Sequence, residues 1–226
     1  GNFGMGAKVA SLPSNSLGMR YRSCRDGVVS QVVLGKREGI YGKVLVQFDD
    51  GTRASVVDAT EQVAAEGEYS LDQDWTEVVL FGQRIDQDTV RDPYDGDPEQ
   101  DRQWLTTGLY HRFYKIPDGV EVVYEEGTHP RDGNRYFEPI PQRLANFGQS
   151  ETVETASGYR VHYFYDPAYK TTGHNASISG SVTSSVSTAA IVYRGEMYDV
   201  RTGRKWAADA PAFGIPFGAR HISVHV

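Results

Sequence analysis

The chain contains one cysteine, Cys24, and no apolar run near the roughly 20 residues that a membrane-spanning helix requires. A single cysteine excludes an intramolecular disulfide and a cysteine-based metal site, and it fits a reducing compartment. The N-terminus also lacks the basic and then apolar layout of a signal peptide. These absences predict a soluble, cytoplasmic protein without a membrane segment.

Positive charge is also scarce. The 226 residues include 23 Lys and Arg against 30 Asp and Glu, which gives a net charge of −7. This balance supplies no broad positive field for a nucleic-acid backbone, although a local basic patch is compatible with it. The length suffices for one large domain or two small ones with a substantial core.

Turn signals divide the first half of the chain into short runs of β-branched and aromatic residues. Three of these runs predict an antiparallel meander, namely residues 19–23, 28–34 and 43–48. A further strand is predicted at 52–57 after the Asp49-Asp-Gly51 turn. Asp58 and Glu61 have capping-box spacing, which predicts a short helix. Residues 76–81 are the clearest candidate for a buried strand.

Acidic and polar residues at 86–103 mark a boundary between two predicted parts, residues 1–90 and 91–226. A helix is predicted to start at Asp97, because Pro98 and Gln100 follow in the order of a helix N-terminus. Apolar residues at every fourth position continue it to about Lys115. The repeating apolar positions are Leu105, Leu109 and Phe113.

Strands follow this helix, so that the predicted class is α+β with mainly antiparallel sheet. Arg194-Gly195 is predicted to form a tight hairpin turn. The Ser- and Thr-rich residues 171–188 fit either a mobile loop or an exposed strand pair. The predicted strands are 120–124, 159–165, 189–193, 196–200 and 221–226.

Neither histidines nor carboxylates form a recognised metal motif. The six histidines are scattered without the ligand pairs typical of zinc sites. The carboxylates at 86–101 miss the calcium-loop spacing, so that they form either a solvated loop or an irregular calcium site. No G-x-S-x-G nucleophile elbow is present.

The 14 tyrosines fit packing between strands and helix, and aromatic faces can also stack on bases.

A glycine-rich turn opens the chain before a short apolar segment. Gly4 and Gly6 permit a close approach of the backbone to a ligand, and amides at a helix N-terminus attract anions. Lys8 adds a positive charge. The Walker spacing fails because Ala7 separates Gly6 from Lys8, and Val9 breaks the dinucleotide pattern. The segment is therefore either a phosphate cradle or only a turn.

Two segments together resemble a known family. Asn2-Phe-Gly-Met-Gly-Ala-Lys8 resembles the glycine box of Bergerat-type ATPases, the fold shared by gyrase B, heat-shock protein 90, MutL and histidine kinases. Thr76-Glu-Val-Val-Leu80 resembles a later strand of these domains that opens with a Gly-Thr pair, with Trp75 in place of the glycine. Further short segments are similar to bacterial and phage-type ATP-binding proteins. These segments are 78–83 with 87–89, 104–105 with 110–113, 196–204 and 213–218.

The resemblance implies two sets of ATP contacts. Backbone amides of the glycine box would bind the phosphates, and the strand threonine would lie at the floor of the adenine pocket. Mg²⁺ would bridge the phosphates during phosphoryl transfer to water. Lys170 is a further candidate for a contact to the γ-phosphate. The implied ATP-binding residues are Asn2 at the lid hinge, Gly4, Met5, Gly6, Lys8 and Thr76.

Three parts of the Bergerat site are missing from this chain: the Glu base, the Asn that holds Mg²⁺ and the Asp-x-Gly-x-Gly box. We therefore expect the chain to be the C-terminal portion of a longer ATPase, inactive or nearly so by itself. Residues 1–90 would complete the ATP-binding domain. Residues 91–226 would form a transducer-like unit that couples nucleotide state to a protein partner or a second copy. The alternative is a non-enzymatic β-rich interaction module.

Overall fold

The structure is a computed structural model that describes residues 11–96, 99, 104–125, 135–166 and 187–226. The chain divides into two compact units, residues 1–100 and 101–226. The division falls within the acidic stretch that separates the two predicted parts. Helices and mainly antiparallel sheets make up the units, which confirms the predicted α+β class.

A five-stranded antiparallel sheet forms the framework of the first unit, with spatial order β3-β2-β1-β7 and β6 paired to β2. The chain between β3 and β6 forms a separate two-stranded hairpin, β4–β5. The strands are β1 (Met19–Arg25), β2 (Val28–Arg37), β3 (Ile40–Lys43), β4 (Val46–Gln47), β5 (Arg53–Ala54), β6 (Val57–Asp58) and β7 (Trp75–Leu80).

Two tight turns explain why the meander forms at these positions. Asp26-Gly27 joins β1 to β2, and Glu38-Gly39 joins β2 to β3, each with two consecutive positive φ angles. This geometry matches the twist of the flanking strands. The predicted meander is confirmed, but the predicted strand 43–48 is divided between β3 and β4. The reason is that the turn at Glu38-Gly39 starts the ladder already at Ile40.

Strand β7 is not buried as predicted. Among the described residues it lies at the edge of the sheet and pairs only with β1. Its side chains alternate between half-buried and exposed, because one face of the sheet is covered and the other is largely open. Thr76 lies on the open side and is exposed.

Helix α1 (Thr60–Glu66) covers the other face of this sheet. The predicted short helix is confirmed, but the capping box is not, because Ala59 occupies the N-cap and no side chain caps the helix. The carboxylate of Asp58, which lies just before the helix, accepts a hydrogen bond from the Thr60 amide at 2.8 Å. Val63 is fully buried against Cys24 and Val29. The packing of this apolar face therefore holds a helix of only seven residues on the sheet.

A second five-stranded sheet organises the second unit, in the order β10-β11-β14-β12-β13. Its neighbours are antiparallel except for the parallel pair β12 and β14. The elements of this unit are α2 (Trp104–Arg112), β8 (Val123–Tyr124), β9 (Arg135–Tyr136), β10 (Gln149–Glu154), β11 (Arg160–Tyr165), β12 (Thr188–Tyr193), β13 (Glu196–Thr202), α3 (Gly203–Asp209) and β14 (Ile222–His225). Short 3₁₀ helices occur at Leu12–Ser14, Ile140–Asn146, Ala210–Phe213 and Ala219–His221.

The predicted strands β11 to β14 and the Arg194-Gly195 turn are confirmed, whereas β10 and α3 were not predicted. All side chains of β10 are exposed, so that it has no apolar pattern. Helix α2 ends at Arg112, before the predicted Lys115, because the Phe113 amide makes the last helical hydrogen bond, to the Leu109 carbonyl oxygen, and the amides after it bond elsewhere. The Tyr114 and Lys115 amides both donate to the Gly195 carbonyl oxygen, at 2.9 and 3.0 Å. Most of the predicted segment 171–188 lies outside the described residues.

Trp206 of α3 lies at the centre of one core of the second unit. Its ring is buried against Ala189, Ala210 and Val224, and its Nε1 donates to the carbonyl oxygens of Ala219 and Ile222 at 3.0 and 2.9 Å. A buried indole is stable here because its only polar atom is hydrogen-bonded. In the part of the chain that the structure describes, no helix combines the length and the apolar character needed to cross a membrane.

Candidate functional site

Most of the predicted ATP-binding residues cannot be placed. Asn2, Gly4, Met5, Gly6 and Lys8 lie outside the described residues, and so does Lys170. Thr76 is the one member of the predicted set with a described position. The geometry around the site is therefore built from Thr76 and from the residues that follow the glycine turn.

Thr76 lies on the sheet face opposite α1, which we call the open face and define by Tyr21, Ser23, Val28, Val32, Thr76, Val78 and Leu80. The strand registers place these side chains on one side, because Ser23 is opposite Ser30 and Thr76 while Tyr21 is opposite Val32 and Val78. The Thr76 Oγ1 atom lies 3.4 Å from the Ser23 Oγ atom. Val28 and Val78 beside them are 52% and 49% exposed. The open face thus combines a hydroxyl pair with an exposed apolar surface.

Leu12 is packed on the same open face, at its other end. It is buried against Met19 and Leu34, with Tyr21 and Val32 at the border of this cluster. Met19 is opposite Leu80 in β7, whereas Ser23 is opposite Thr76. These positions are four residues apart along β1, roughly 13 Å at the 3.3 Å rise of a strand. Leu12, which follows Lys8 by four positions, therefore lies on the face that carries Thr76.

Asn15 connects residues 11–17 to Gly82, which follows the end of β7. The buried Asn15 side chain accepts a hydrogen bond from the Gly82 amide at 2.9 Å and donates one to the Ser11 carbonyl oxygen at 2.7 Å. The Leu17 amide donates to the Gly82 carbonyl oxygen at 3.0 Å. Both polar groups of the amide are thus satisfied, and the chain after the glycine turn is held against β7.

The opposite face contains a buried arginine. The guanidinium of Arg22 donates twice to the Glu66 carboxylate, at 2.6 and 3.0 Å, and once to Gln31 Oε1 at 2.8 Å. This hydrogen bonding raises the pKa of Arg22 and lowers the pKa of Glu66. Arg22 therefore binds α1 to the sheet, and its donors are not directed at the open face.

The second unit presents a different exposed surface, the hairpin face, which we define by Ile191, Tyr193, Glu196 and Tyr198 of β12 and β13. Ile191 is opposite Tyr198, and Tyr193 is opposite Glu196. Tyr193 is 58% exposed, and the guanidinium of Arg194 lies 5.2 Å from its ring centroid. Exposed tyrosines combined with arginines are typical of the energetically important centre of protein interfaces.

Glu196 organises the polar groups at this surface. Its carboxylate accepts hydrogen bonds from Arg112 Nη2 at 2.5 Å and from the Tyr198 hydroxyl at 2.8 Å. The bond from Tyr198 raises the pKa of that phenol, because it stabilises the protonated form. Arg112 also lies over the Tyr198 ring, 5.2 Å from its centroid. The Tyr198 side chain is thus held in one orientation by two contacts.

The described histidines serve packing and hydrogen bonding. The fully buried His225 has its Nε2 2.9 Å from Thr188 Oγ1, and His162 Nδ1 is 2.9 Å from Thr152 Oγ1. Burial lowers the pKa of His111 and of His162. His129 and His174 lie outside the described residues. Within the described ranges no three His, Cys, Asp or Glu side chains are grouped so that they could hold a metal ion.

The acidic stretch makes internal contacts where it is described. Arg84 forms ion pairs with Asp86 at 2.7 Å and with Asp95 at 2.6 Å. Asp88 accepts from the Val90 amide, and Asp92 accepts from the Gly96 amide. These carboxylates thus accept hydrogen bonds or form ion pairs with groups of the same loop, as expected for a solvated loop. Asp97 and Asp101 of the suggested calcium site lie outside the described residues.

Sequence reasoning missed the Arg22 ion pairs and the hairpin face. An arginine in a strand carries no sign of its partner when the partner is 44 positions away, as Glu66 is. The Arg194-Gly195 turn was the one local signal for the hairpin that carries the exposed tyrosines. No family model matches the chain, and comparisons with curated proteins and with solved structures give no match either.

Proposed function

We propose that this chain is part of a cytoplasmic ATP-binding protein of the Bergerat type. The glycine turn around Gly4 and Gly6 contacts the ATP phosphates, and the adenine lies near Thr76. The observation that carries this proposal is the position of Leu12 on the open face. It brings the chain that leaves the glycine turn to the same sheet surface as the strand threonine.

The exposed apolar residues of the open face support this proposal. A sheet normally buries an apolar face against a second layer, and Val28 and Val78 have no such cover among the described residues. Ligand pockets are mostly apolar with a few placed polar groups, and the Ser23–Thr76 hydroxyl pair supplies such groups here. Further elements of a larger ATP-binding domain would complete the pocket over this face.

The described ranges contain no group of three or more His, Cys, Asp or Glu side chains that could hold a metal ion. Under this proposal, the Mg²⁺ ligand and the catalytic base are residues that are absent from this sequence. We expect both to come from an upstream segment of the complete protein. The residues of this chain would bind and orient the nucleotide, and by themselves they would hydrolyse ATP poorly or not at all. The second unit would transmit the nucleotide state to a partner.

Calorimetric titration with ATP and Mg²⁺ tests the proposal, on this chain and on a version extended at its N-terminus. We expect tight binding by the extended version, lost on Gly6→Val and Lys8→Ala. Thr76→Val should weaken ATP binding by about tenfold, because it removes one hydrogen bond and keeps the side-chain shape. Lys205→Ala, which removes an exposed charge from α3 in the second unit, is the control for Lys8→Ala and should bind like the wild type. Absence of binding by both versions would end the proposal.

The second candidate function is protein interaction without nucleotide chemistry, and the hairpin face is the observation that favours it. Its tyrosine and arginine composition is that of an interface centre. Under this candidate, neither version binds ATP, and the chain self-associates with a concentration dependence that Tyr198→Ser abolishes. Tyr159→Ser is the matched control, because Tyr159 is exposed and lies outside the hairpin face. A monomer at every concentration would exclude a homodimer.

A further inference from the structure

A cleft of about 440 Å³ lies beside the edge strand β3 of the first unit. Its floor contains Gly35 and Gly42, which are directly opposite each other in the ladder between β2 and β3. Three basic residues line it, Arg37, Lys43 and Arg53, and no acidic residue is among the described residues that line it. Arg37 is on the same side of the ladder as Gly35 and Gly42, whereas Lys43, opposite Leu34, starts from the other side. The cleft is separate from the open face, because Gly35 and Gly42 lie on the other side of the sheet.

The backbone conformation at Gly42 does not require glycine, and the missing side chain leaves the cleft open. The φ of Gly42 is outside the left-handed region that favours glycine, and a Cβ atom placed on this residue would meet no atom within 4 Å. A larger residue is therefore sterically permitted at this strand position and would project into the cleft. The space exists because this position has no side chain.

The basic residues of the cleft are available for a ligand. Across the described ranges, neither Arg37 nor Lys43 forms a hydrogen bond or an ion pair, and Arg53 donates to Gln47 Oε1 at 3.5 Å. Arg22, Arg84 and Arg201, in contrast, are each bound to carboxylates. Arg37 and Arg53, two exposed cations without a carboxylate partner on a chain of net charge −7, form a local positive site, and Lys43 adds a charge at its border.

We propose that this cleft binds a small organic phosphate. Arginine matches phosphate and carboxylate oxygens with its planar fork of donors, and the greater negative charge of a phosphate monoester favours it at a site with more than one cation. Ile40, Val44 and Leu45 supply an apolar wall for the organic part of the ligand. The volume falls in the usual range of about 300–1,000 Å³ for small-molecule sites. A long polyanion such as a nucleic acid is disfavoured, because beyond the cleft it would meet the net negative charge of the protein.

The site does not depend on the ATP-binding proposal, and phenyl phosphate is a suitable probe because it combines a phosphate with an apolar ring. NMR titration of the whole chain should show saturable shifts at the Gly35, Arg37 and Gly42 amides. Inorganic phosphate should bind more weakly, because it makes no contact with the apolar wall. Arg37→Gln should weaken phenyl phosphate by about tenfold, the usual effect of one lost charge-assisted hydrogen bond.

Lys36→Gln is the matched control for charge. Lys36 is next to Arg37, but it lies on the other side of the sheet with its Nζ over the Tyr41 ring, 5.3 Å from the centroid. Lys36→Gln should leave the affinity for phenyl phosphate within about twofold of the wild type, since only long-range attraction is lost. Gly42→Leu should fill the cleft and abolish binding while circular dichroism shows an unchanged fold.

Three outcomes would overturn the proposal: no saturable shifts with phenyl phosphate, equal losses from Arg37→Gln and Lys36→Gln, or tighter binding of a hexaglutamate peptide than of phenyl phosphate. The last outcome would identify the site as one for acidic peptides. Gly6→Val separates this test from that of ATP binding. It should leave the phenyl phosphate titration unchanged, and Gly42→Leu should leave unchanged any ATP binding that depends on Gly6.

Discussion

At the scale of single residues, Arg22 is the side chain on which the first unit most depends. It is 1% exposed, although a charged group is costly to bury. The Glu66 carboxylate, the Gln31 amide oxygen and the Glu77 carboxylate at 3.9 Å surround its guanidinium. These contacts join β1 to α1, β2 and β7. One residue thus links four elements that also share the apolar cluster around Cys24, Val29 and Val63.

Arg22→Met is predicted to destabilise the protein by about 3 kcal/mol, the lower end of the range for breaking a buried ion pair, because Glu66 keeps partial contact with water. Urea unfolding followed by circular dichroism measures this change. Arg25→Met is the matched control, since Arg25 is exposed on the same strand. It should change stability by less than about 0.5 kcal/mol. Equal effects of the two variants would show that Arg22 has no special role.

At the scale of secondary-structure elements, the end of α2 is joined to the β12–β13 hairpin. The Gly195 carbonyl oxygen accepts from two successive amides after the helix, and Phe113 forms a bridge with Glu196. The Gly195 φ of 84° requires glycine in this turn. A Cβ atom at this position would also lie 3.0 Å from the Lys115 carbonyl oxygen. The turn is therefore both strained for other residues and closely packed.

Gly195→Ala is predicted to destabilise the second unit more than Gly158→Ala does. Both glycines have φ of 84°, but a Cβ atom at Gly158 meets nothing within 4 Å. The Gly158 variant therefore measures the conformational cost alone, about 1–2 kcal/mol. Gly195→Ala should cost roughly 1 kcal/mol more through the clash with the Lys115 carbonyl. Denaturant midpoints provide the comparison, and equal losses would mean that the helix end moves freely to accommodate the methyl group.

At the scale of the whole molecule, ionised carboxyl groups and buried neutral histidines both contribute to the pH dependence of stability. The pKa of Glu66 is lowered by its bonds to Arg22, that of Asp58 by the Thr60 donors and that of Asp199 by Arg201. A carboxyl group with a lowered folded-state pKa binds fewer protons when folded. Its stabilising effect is complete above the ordinary pKa of about 4 and is lost as the pH falls through the folded-state pKa.

Stability should therefore fall on acidification in two ranges. Below about pH 6.5 the unfolded chain protonates His111 and His162 more readily than the folded protein does, and below about pH 4 the carboxyl groups add a further loss. Glu66→Gln is predicted to be less stable than the wild type at pH 7, and this difference should shrink as the pH falls through the folded-state pKa of Glu66. Urea midpoints between pH 7 and 3 measure the effect. Glu61→Gln, on an exposed position of the same helix, is the control. A Glu66 difference that stays constant across this range would contradict the assignment.

The sequence by itself determined the local features of this protein. Asp26-Gly27 and Arg194-Gly195 specify tight turns through the conformational preference of glycine, and the apolar runs beside them specify strands. The Asp58 carboxylate likewise bonds locally, to the Thr60 amide at the start of α1. The α+β class was therefore predictable, because it depends on residues close together in the chain. The ATP site stays a prediction, since five of its six residues, Asn2, Gly4, Met5, Gly6 and Lys8, lie outside the described residues.

Only the tertiary structure decided which surfaces the strands present. Thr76 is exposed because its register with Ser23, more than 50 positions away, places it on the open face of the sheet. Arg22 meets Glu66 and Gly35 faces Gly42 only after helix packing and strand register are set. Burial, ion pairing and clefts are properties of residues brought together from distant positions. Their physical origin is the register of the sheets and the packing on their faces, which local sequence patterns do not encode.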